Sequence, residues 1–264
     1  MEYGVCNLSQ IPLRATASER AEMVSQLLFG DAYIITEKDK EWIKIKTCDC
    51  DYEAWISANL HNPLHPKDVE TYLSSEKYMV KDILFSIRNF ETNVLFPIFI
   101  GSSFPFPQDD LLILGDSIFI IKIPEQPELP ANPNFSPTQY ALFDFLSTYL
   151  EAPYLWGGRT PAGIDCSGLV QIAFKSIGIA LPRDASQQAL CGKEVTSVKE
   201  SEVGDVAFFQ NEDGKITHTG IISSQSRIIH ASGKVRIDLL DEKGIYNSKL
   251  DKHTHTLAFI KRFL

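Results

Sequence analysis

Tyr154-Leu-Trp-Gly-Gly-Arg-Thr-Pro-Ala-Gly-Ile-Asp-Cys166-Ser-Gly-Leu-Val170 runs from a polar, glycine-rich loop into an apolar segment. Leu169, Val170, Ala173, Phe174 and Ile177 recur there at helical spacing, which predicts a helix. Cys166 falls at the junction, in or just before the first turn. Unpaired backbone N–H groups and the helix dipole favour negative charge at that point. A thiol placed there is expected to shift toward its reactive thiolate, from a free pKa of about 8.5. Gly157, Gly158, Gly163 and Gly168 would let the backbone turn tightly and let a substrate lie against it. A lone cysteine is more often an inert, buried residue. The rest of the chain weighs against that here.

Two histidines follow, in Lys215-Ile-Thr-His218-Thr-Gly-Ile-Ile-Ser223 and Arg227-Ile-Ile-His230-Ala-Ser-Gly233. Both segments have the character of short strands, with a turn at Ser223 to Ser226. Paired positions on adjacent antiparallel strands lie only about 5 Å apart, so the rings can stand side by side. A base must reach the nucleophile, and its second ring nitrogen needs a partner that fixes tautomer and orientation. Each histidine alone is more often an ordinary strand residue. With the cysteine segment they make a nucleophile, Cys166, a base, His218, and an orienting residue, His230.

Asp165-Cys166-Ser167-Gly168-Leu169-Val170, preceded by Tyr154-x-Trp-Gly-Gly, resembles the nucleophile motif of the NlpC-type cysteine peptidases. Leu181-Pro-Arg-Asp-Ala-Ser-Gln-Gln188, Gly204-Asp-Val-Ala-Phe-Phe209, His218-Thr-Gly-Ile221 and Ile229-His-Ala-Ser232 match that family in the same order, over about residues 136 to 264. The resemblance implies a papain-like fold and hydrolysis of bacterial cell-wall peptides, at the bond between γ-D-glutamate and a diamino acid. By similarity Cys166, His218 and His230 are catalytic, Tyr154 adds a hydroxyl near the oxyanion, and Asp165, Ser167 and Arg183 line the pocket. The Cys166 N–H is a natural oxyanion donor. The Arg183 guanidinium could face a substrate carboxylate, the alternative being a structural ion pair.

Outward from this domain, residues 1 to 63 are rich in short strand-like runs. Trp42-Ile-Lys-Ile-Lys46 alternates with period two, and the turn at Gly30-Asp31 separates two further runs. Pro12-Leu-Arg-Ala15, Val24 to Asp31, Glu41-Trp-Ile-Lys-Ile45 and Tyr52-Glu-Ala-Trp-Ile56 resemble a bacterial SH3-like barrel. Residues 64 to 127 open with a short helix, Asp68 to Met79. Strand-like runs follow at Val94–Ile100, Leu111–Leu114 and Ser117–Ile123, suggesting a second, divergent SH3-like barrel or an insertion packed on the first. Pro124 to Pro133, with four prolines in ten residues, is a stiff linker, assigned to 128–135. Ser136, Pro137 and Gln139 form a capping box for the helix that opens the domain at 136–264. Helices first and a mainly antiparallel sheet after give an α+β class. The whole is two small SH3-like β-barrels followed by a papain-like catalytic domain.

In the cell-wall recycling members of the NlpC type, SH3-like domains close one end of the cleft and demand a free N-terminal L-alanine. That resemblance nominates Glu22 and Tyr52 to hold the ammonium, a sound pairing for a carboxylate. The expected partner is therefore a murein peptide, L-Ala-γ-D-Glu-diamino acid. A net charge of −9 argues against nucleic acid or anionic lipid, and no apolar run approaches the roughly 18 residues that span a bilayer. Five scattered cysteines form no disulfide framework. Cys48-Asp-Cys50, with His61 and His65 nearby, is spaced too tightly for the usual zinc knuckle, so no metal or other cofactor is expected. Met1-Glu-Tyr-Gly-Val-Cys-Asn7 lacks the basic start and apolar stretch of a signal peptide, favouring a cytoplasmic monomer, or a periplasmic or secreted one had a signal been removed. Two other readings stand: a wall-binding module with an inactive catalytic domain, and an amidase or acyltransferase on the same fold.

Overall fold

The alternation in Trp42-Ile-Lys-Ile-Lys-Thr47 becomes a strand whose Ile43, Ile45 and Thr47 are buried while the residues between them stay partly exposed. The computed structural model describes residues 1–125 and 135–264, so most of the proline-rich linker lies outside the described residues. The chain divides into two compact units, Met1–Glu128 and Leu129–Leu264.

In the first unit β1 (Glu2–Val5), β2 (Gln10–Arg14), β3 (Met23–Leu28), β4 (Ala32–Asp39), β5 (Trp42–Thr47), β6 (Glu53–Ser57) and β7 (Pro63–Leu64) make one antiparallel sheet, ordered β3-β2-β6-β5-β4-β1-β7. Ile11, Leu13, Leu27, Tyr33, Ile45 and Ile56 fill its interior. Helix α1 (Pro66–Ser74) starts at a proline, whose fixed φ suits the first helical position. It stops short of the expected Met79, because β8 (Lys77–Met79) takes over. Then come β9 (Leu84–Asn89), β10 (Leu95–Phe99), β11 (Ser103–Pro105), β12 (Leu111–Leu114) and β13 (Ser117–Ile120). They form a sheet ordered β10-β9-β13-β12 and a separate β11-β8 pair.

Residues 64–125 share their core with the first sheet. Tyr78, Val80, Ile98, Phe104 and Phe119 bury against Val5, Phe29 and Leu64 in one cluster. The Phe29 ring meets Phe119 and Phe104 edge-on at 5.1 and 5.7 Å, a favoured aromatic geometry. Gly30 lets the chains approach this closely: at φ +87° it lies where an added Cβ would sit 1.9 Å from the Ser103 carbonyl oxygen.

The second unit opens with α2 (Pro137–Ser147). Its capping box is formed by the Gln139 N–H donating to Ser136 Oγ and the Ser136 N–H donating to Gln139 Oε1. Two short strands, β14 (Arg159–Thr160) and β15 (Gly163–Ile164), lead into α3 (Cys166–Lys175), followed by α4 (Ala185–Gln188). The remaining strands are β16 (Lys193–Val195), β17 (Val206–Gln210), β18 (Ile216–Ser224), β19 (Arg227–Ser232), β20 (Lys234–Asp241), β21 (Gly244–Asn247) and β22 (Lys252–Arg262). They run in the order β16-β22-β17-β18-β19-β20-β21. Because β21 also pairs with β22, the strands β17 to β22 close on themselves as a six-stranded antiparallel barrel. Ala207, Phe209, Ile222, Ile228, Leu240, Ile245 and Ile260 pack together as its apolar cluster. Helix α3 lies across β18 and β19.

Candidate active site

Asp165 organises the start of α3. As N-cap it accepts the Gly168 N–H at 2.7 Å through Oδ1, and it takes the Gly157 N–H at 2.8 Å through Oδ2. A cap of this kind is worth about 1 kcal/mol. Arg183 reaches the same carboxylate from the segment after the helix, with Nη1 3.0 Å from Oδ1 and Nη2 2.6 Å from Oδ2. Its Nη1 also donates to Ser167 Oγ at 2.9 Å. Arg183 is only 2% exposed. Of the two partners expected for Arg183, the structure shows the structural one, a two-pronged internal ion pair with Asp165. Asp165 and Ser167 serve that same network and pin the nucleophile turn.

The loop glycines also act internally. A Cβ on Gly158 would sit 2.3 Å from the Gly163 carbonyl oxygen, and one on Gly168 2.5 Å from the Gly158 carbonyl oxygen. They let the loop 154–168 fold on itself, which is a nearer reason for them than the approach of a substrate.

Cys166 occupies the first position of α3, where its own N–H has no intrahelical acceptor. The β18–β19 ladder begins only at Gly220, which leaves the backbone of Thr219 to hydrogen-bond with the Cys166 sulfur. The expected shift toward thiolate does not appear. Burial pushes the Cys166 thiol up to about 11, and the Asp165 charge adds to this. The backbone of Thr219 and Ser167 and the Arg183 charge oppose the shift without cancelling it. Burial outweighs the helix terminus here.

His218 and His230 meet, diagonally rather than face to face. Phe209 pairs with His218 and Gly220 pairs with His230, so the two rings share one face of the sheet, two residues out of register. His218 Nε2 lies 2.9 Å from His230 Nδ1. Burial, then the neighbouring His255 and His230, hold His218 well below the ordinary imidazole value. The resting pair is thus a neutral thiol and a neutral imidazole.

Three residues at this site went unnoticed in the sequence. His230 Nε2 lies 3.0 Å from Asp238 Oδ2, and Arg236 flanks that carboxylate. The ring of His255 stacks on His218, with centroids 4.1 Å apart and planes at 24°. Burial lowers His255 to about 4. Period-two reading fails in the middle of β20: Val235 and Leu240 are buried as expected, but Ile237 and Leu239 are exposed and Asp238 is buried. A buried aspartate between two exposed aliphatics is the signal that could have found it.

Tyr154 is half-buried, and burial together with the charges of Cys166 and Asp165 pushes its phenol up to about 12, so the hydroxyl keeps its proton near the sulfur. Glu22 and Tyr52 lie in the first unit, immediately before β3 and β6. Both strands are antiparallel to β2, so they start at the same end of the sheet, and these two residues share that end. Glu22 is exposed and Tyr52 partly buried. All five cysteines are free thiols, with Cys48 and Cys50 in the turn between β5 and β6. Among the described residues no group of three or more His, Cys, Asp or Glu is placed to hold a metal ion.

Cys166 at a helix start thus stands against an antiparallel sheet that carries His218 and His230. The description of the NlpC/P60 family matches residues 151–254, and that of the bacterial dipeptidyl-peptidase Sh3 domain matches 13–59. The chain is 35% identical over 112 residues to a probable endopeptidase NlpC of Escherichia coli, covering 42% of this chain and 67% of that protein. It is 39% identical over 106 residues to a γ-D-glutamyl-L-lysine dipeptidyl-peptidase of Bacillus subtilis, covering 39% of this chain and 36% of that one. A crystal structure of an NlpC/P60 family protein from Bacillus cereus superposes with a TM-score of 0.79 over 99% of both chains at 17% identity, a likeness of fold. This chain belongs to the NlpC/P60 family. It spans between 24% and 36% of the length of the first three curated relatives it matches.

Proposed function

We propose that this protein is a cysteine peptidase that hydrolyses the γ-D-glutamyl–diamino acid bond of murein peptides, preferring those with a free N-terminal L-alanine. The observation that carries the proposal is Cys166 at the start of α3, hydrogen-bonded to the backbone beside His218, whose ring is backed by His230. The names of two relatives support the bond: the Bacillus subtilis dipeptidyl-peptidase, and a γ-DL-glutamyl hydrolase of the same organism that is 44% identical over 99 residues.

The chemistry follows from neutral starting groups. His218 takes the thiol proton as Cys166 Sγ attacks the carbonyl carbon, so charge appears only as the bond forms. The oxyanion meets the free N–H of Cys166 and the protonated hydroxyl of Tyr154. The proton on His218 passes to the departing amine, leaving a thioester. Water, deprotonated by the same imidazole, then releases the γ-glutamyl acid. The Asp165–Arg183 pair holds the loop while this happens. Glu22 and Tyr52 would bind the substrate ammonium, which makes the enzyme a recycler of turnover peptides, working in the cytoplasm as a monomer.

The test compares L-Ala-γ-D-Glu-diaminopimelate with its N-acetylated form, using wild type and Cys166→Ala. Release of diaminopimelate from the free peptide only, abolished in the variant, is the expected result. Equal cleavage of both peptides removes the recycling role and the tasks given to Glu22 and Tyr52. Cleavage of neither removes the peptidase reading.

A further inference from the structure

The buried relay behind Cys166 has a direction, and its far end sets it. Burial pushes the Asp238 carboxyl up, but the hydrogen bonds from His230 and Arg236 outweigh burial and hold it below the ordinary value. It is therefore a carboxylate, which can only accept. Arg236 spans the carboxylate, with Nη2 donating to Oδ1 at 2.7 Å and Nε 2.7 Å from Oδ2, and His230 Nε2 reaches that same Oδ2. His230 Nε2 must then carry the proton that bridges the 3.0 Å to Oδ2. A His230 ring with its single proton on Nε2 has a bare Nδ1. That nitrogen accepts from His218 across 2.9 Å, so His218 Nε2 carries a proton too. The nitrogen of His218 left bare is Nδ1.

We propose that Asp238, seated by Arg236, is a positioning residue that acts through His230 to keep Nδ1 of His218 as the nitrogen that receives the Cys166 proton. Asp238 and Arg236 sit on β20, His230 on β19, His218 on β18 and His255 on β22, with Cys166 arriving from α3. The groups that act on the His218 ring are accordingly His230, the stacked His255 and the Phe209 ring, with Asp238 and Arg236 reaching it through His230 and the Cys166 sulfur held on the backbone of the adjacent Thr219. When His218 accepts the proton it becomes an imidazolium with both nitrogens protonated. Its Nε2–H still donates to His230, and the Asp238 charge favours that state from the end of the chain. The tautomer argument stands on the geometry alone; its catalytic consequence rests on the cysteine-peptidase reading above.

Long-range 15N ring spectra of the wild-type protein at neutral pH test the tautomers without any variant. His218 and His230 should both carry their ring proton on Nε2. A proton on His218 Nδ1 overturns the proposal. In Asp238→Asn the amide can donate to His230 Nε2, which reverses both rings and presents an N–H to the thiol. Turnover should then fall about 10²-fold with KM nearly unchanged, a smaller loss than the ~10⁴ seen when the carboxylate bonded directly to a triad histidine becomes an amide. Asp238→Glu should restore most of it. Alkylation of Cys166 by iodoacetamide at neutral pH should slow in parallel. Because it uses no peptide, this separates failure of the relay from failure of the substrate assignment. Ring protons and alkylation rate that stay put in Asp238→Asn while only the melting temperature falls would make Asp238 a packing residue, and would also overturn the proposal.

Discussion

The two units bury different things. The interior of Met1–Glu128 is aromatic and aliphatic, with Phe29, Tyr78, Phe104 and Phe119 at its centre, and pairs such as Lys44–Glu53 and Lys46–Asp51 stand at its surface. The interior of Leu129–Leu264 takes charges inside: Arg183 on Asp165, and Asp238 on His230, all with side chains under a tenth exposed. Taking an ion out of water costs several kcal/mol even after relaxation, and its partner rarely returns more than that. A fold that needed only stability would be built like the first unit. The second holds its charges where they fix the turn that carries Cys166 and the ring of His230.

The sharpest break is chemical. Cys166→Ala should reduce turnover by about 10⁵-fold or more while leaving the melting temperature close to wild type, and His218→Ala should nearly match it. His230→Ala should cost less than either, because an orienting group is partly dispensable. Equal loss at all three, in steady-state kinetics, would make His230 more than an orienter. Next in size is Arg183→Met, which leaves Asp165 charged and buried without its partner. Thermal or urea unfolding should show a loss of about 3–5 kcal/mol in the second unit. Lys44→Met, which breaks a surface pair of the first unit, should leave unfolding unchanged. Similar outcomes for the two would erase the contrast between the units.

The pH response sharpens it further. His218 and His255 are depressed in the folded state, so their contribution to stability is present above about 6.5 and is lost as pH falls below it. Cys166 is raised, so its contribution is present below about 9 and is lost as pH climbs through about 11. Melting temperature against pH should show a plateau between these limits. The alkylation rate of free Cys166 should keep climbing toward pH 11 instead of levelling near 8.5. A rate already at its maximum at pH 6 would mean a resting thiolate–imidazolium pair. The smallest expected effect is Glu22→Gln. It should raise KM for the free peptide about 10-fold and leave the N-acetylated peptide untouched, since it removes one charge-assisted contact at an exposed position.

Much of this was readable along the chain. Period-two alternation placed β5, and the capping box at Ser136 placed α2 to the residue, because both depend on neighbours within a few positions. Helix α1 starts at Pro66, ahead of the expected Asp68, and ends at Ser74 because β8 takes over before Met79. Strand β20 breaks its alternation, because Asp238 is buried with Val235 and Leu240 while Ile237 and Leu239 face out. That hid Asp238, and His255 went unnoticed because the last strand gives no local reason for a histidine to face another strand's histidine. The charge state of Cys166 was misjudged for a related reason. A helix terminus is visible in sequence, but the depth at which the thiol is buried is not.

By itself, then, the sequence determined the position of Cys166 at a helix start, the two histidines on neighbouring strands and the division into a strand-rich front and an α+β back. These follow from motif spacing and short-range periodicity, which the chain carries locally. Tertiary structure alone decided that Arg183 pairs with Asp165, that six strands close into a barrel, and that a carboxylate on β20 stands behind His230. Each of these depends on which side chains meet across strands far apart in the chain, and on how much water their meeting removes.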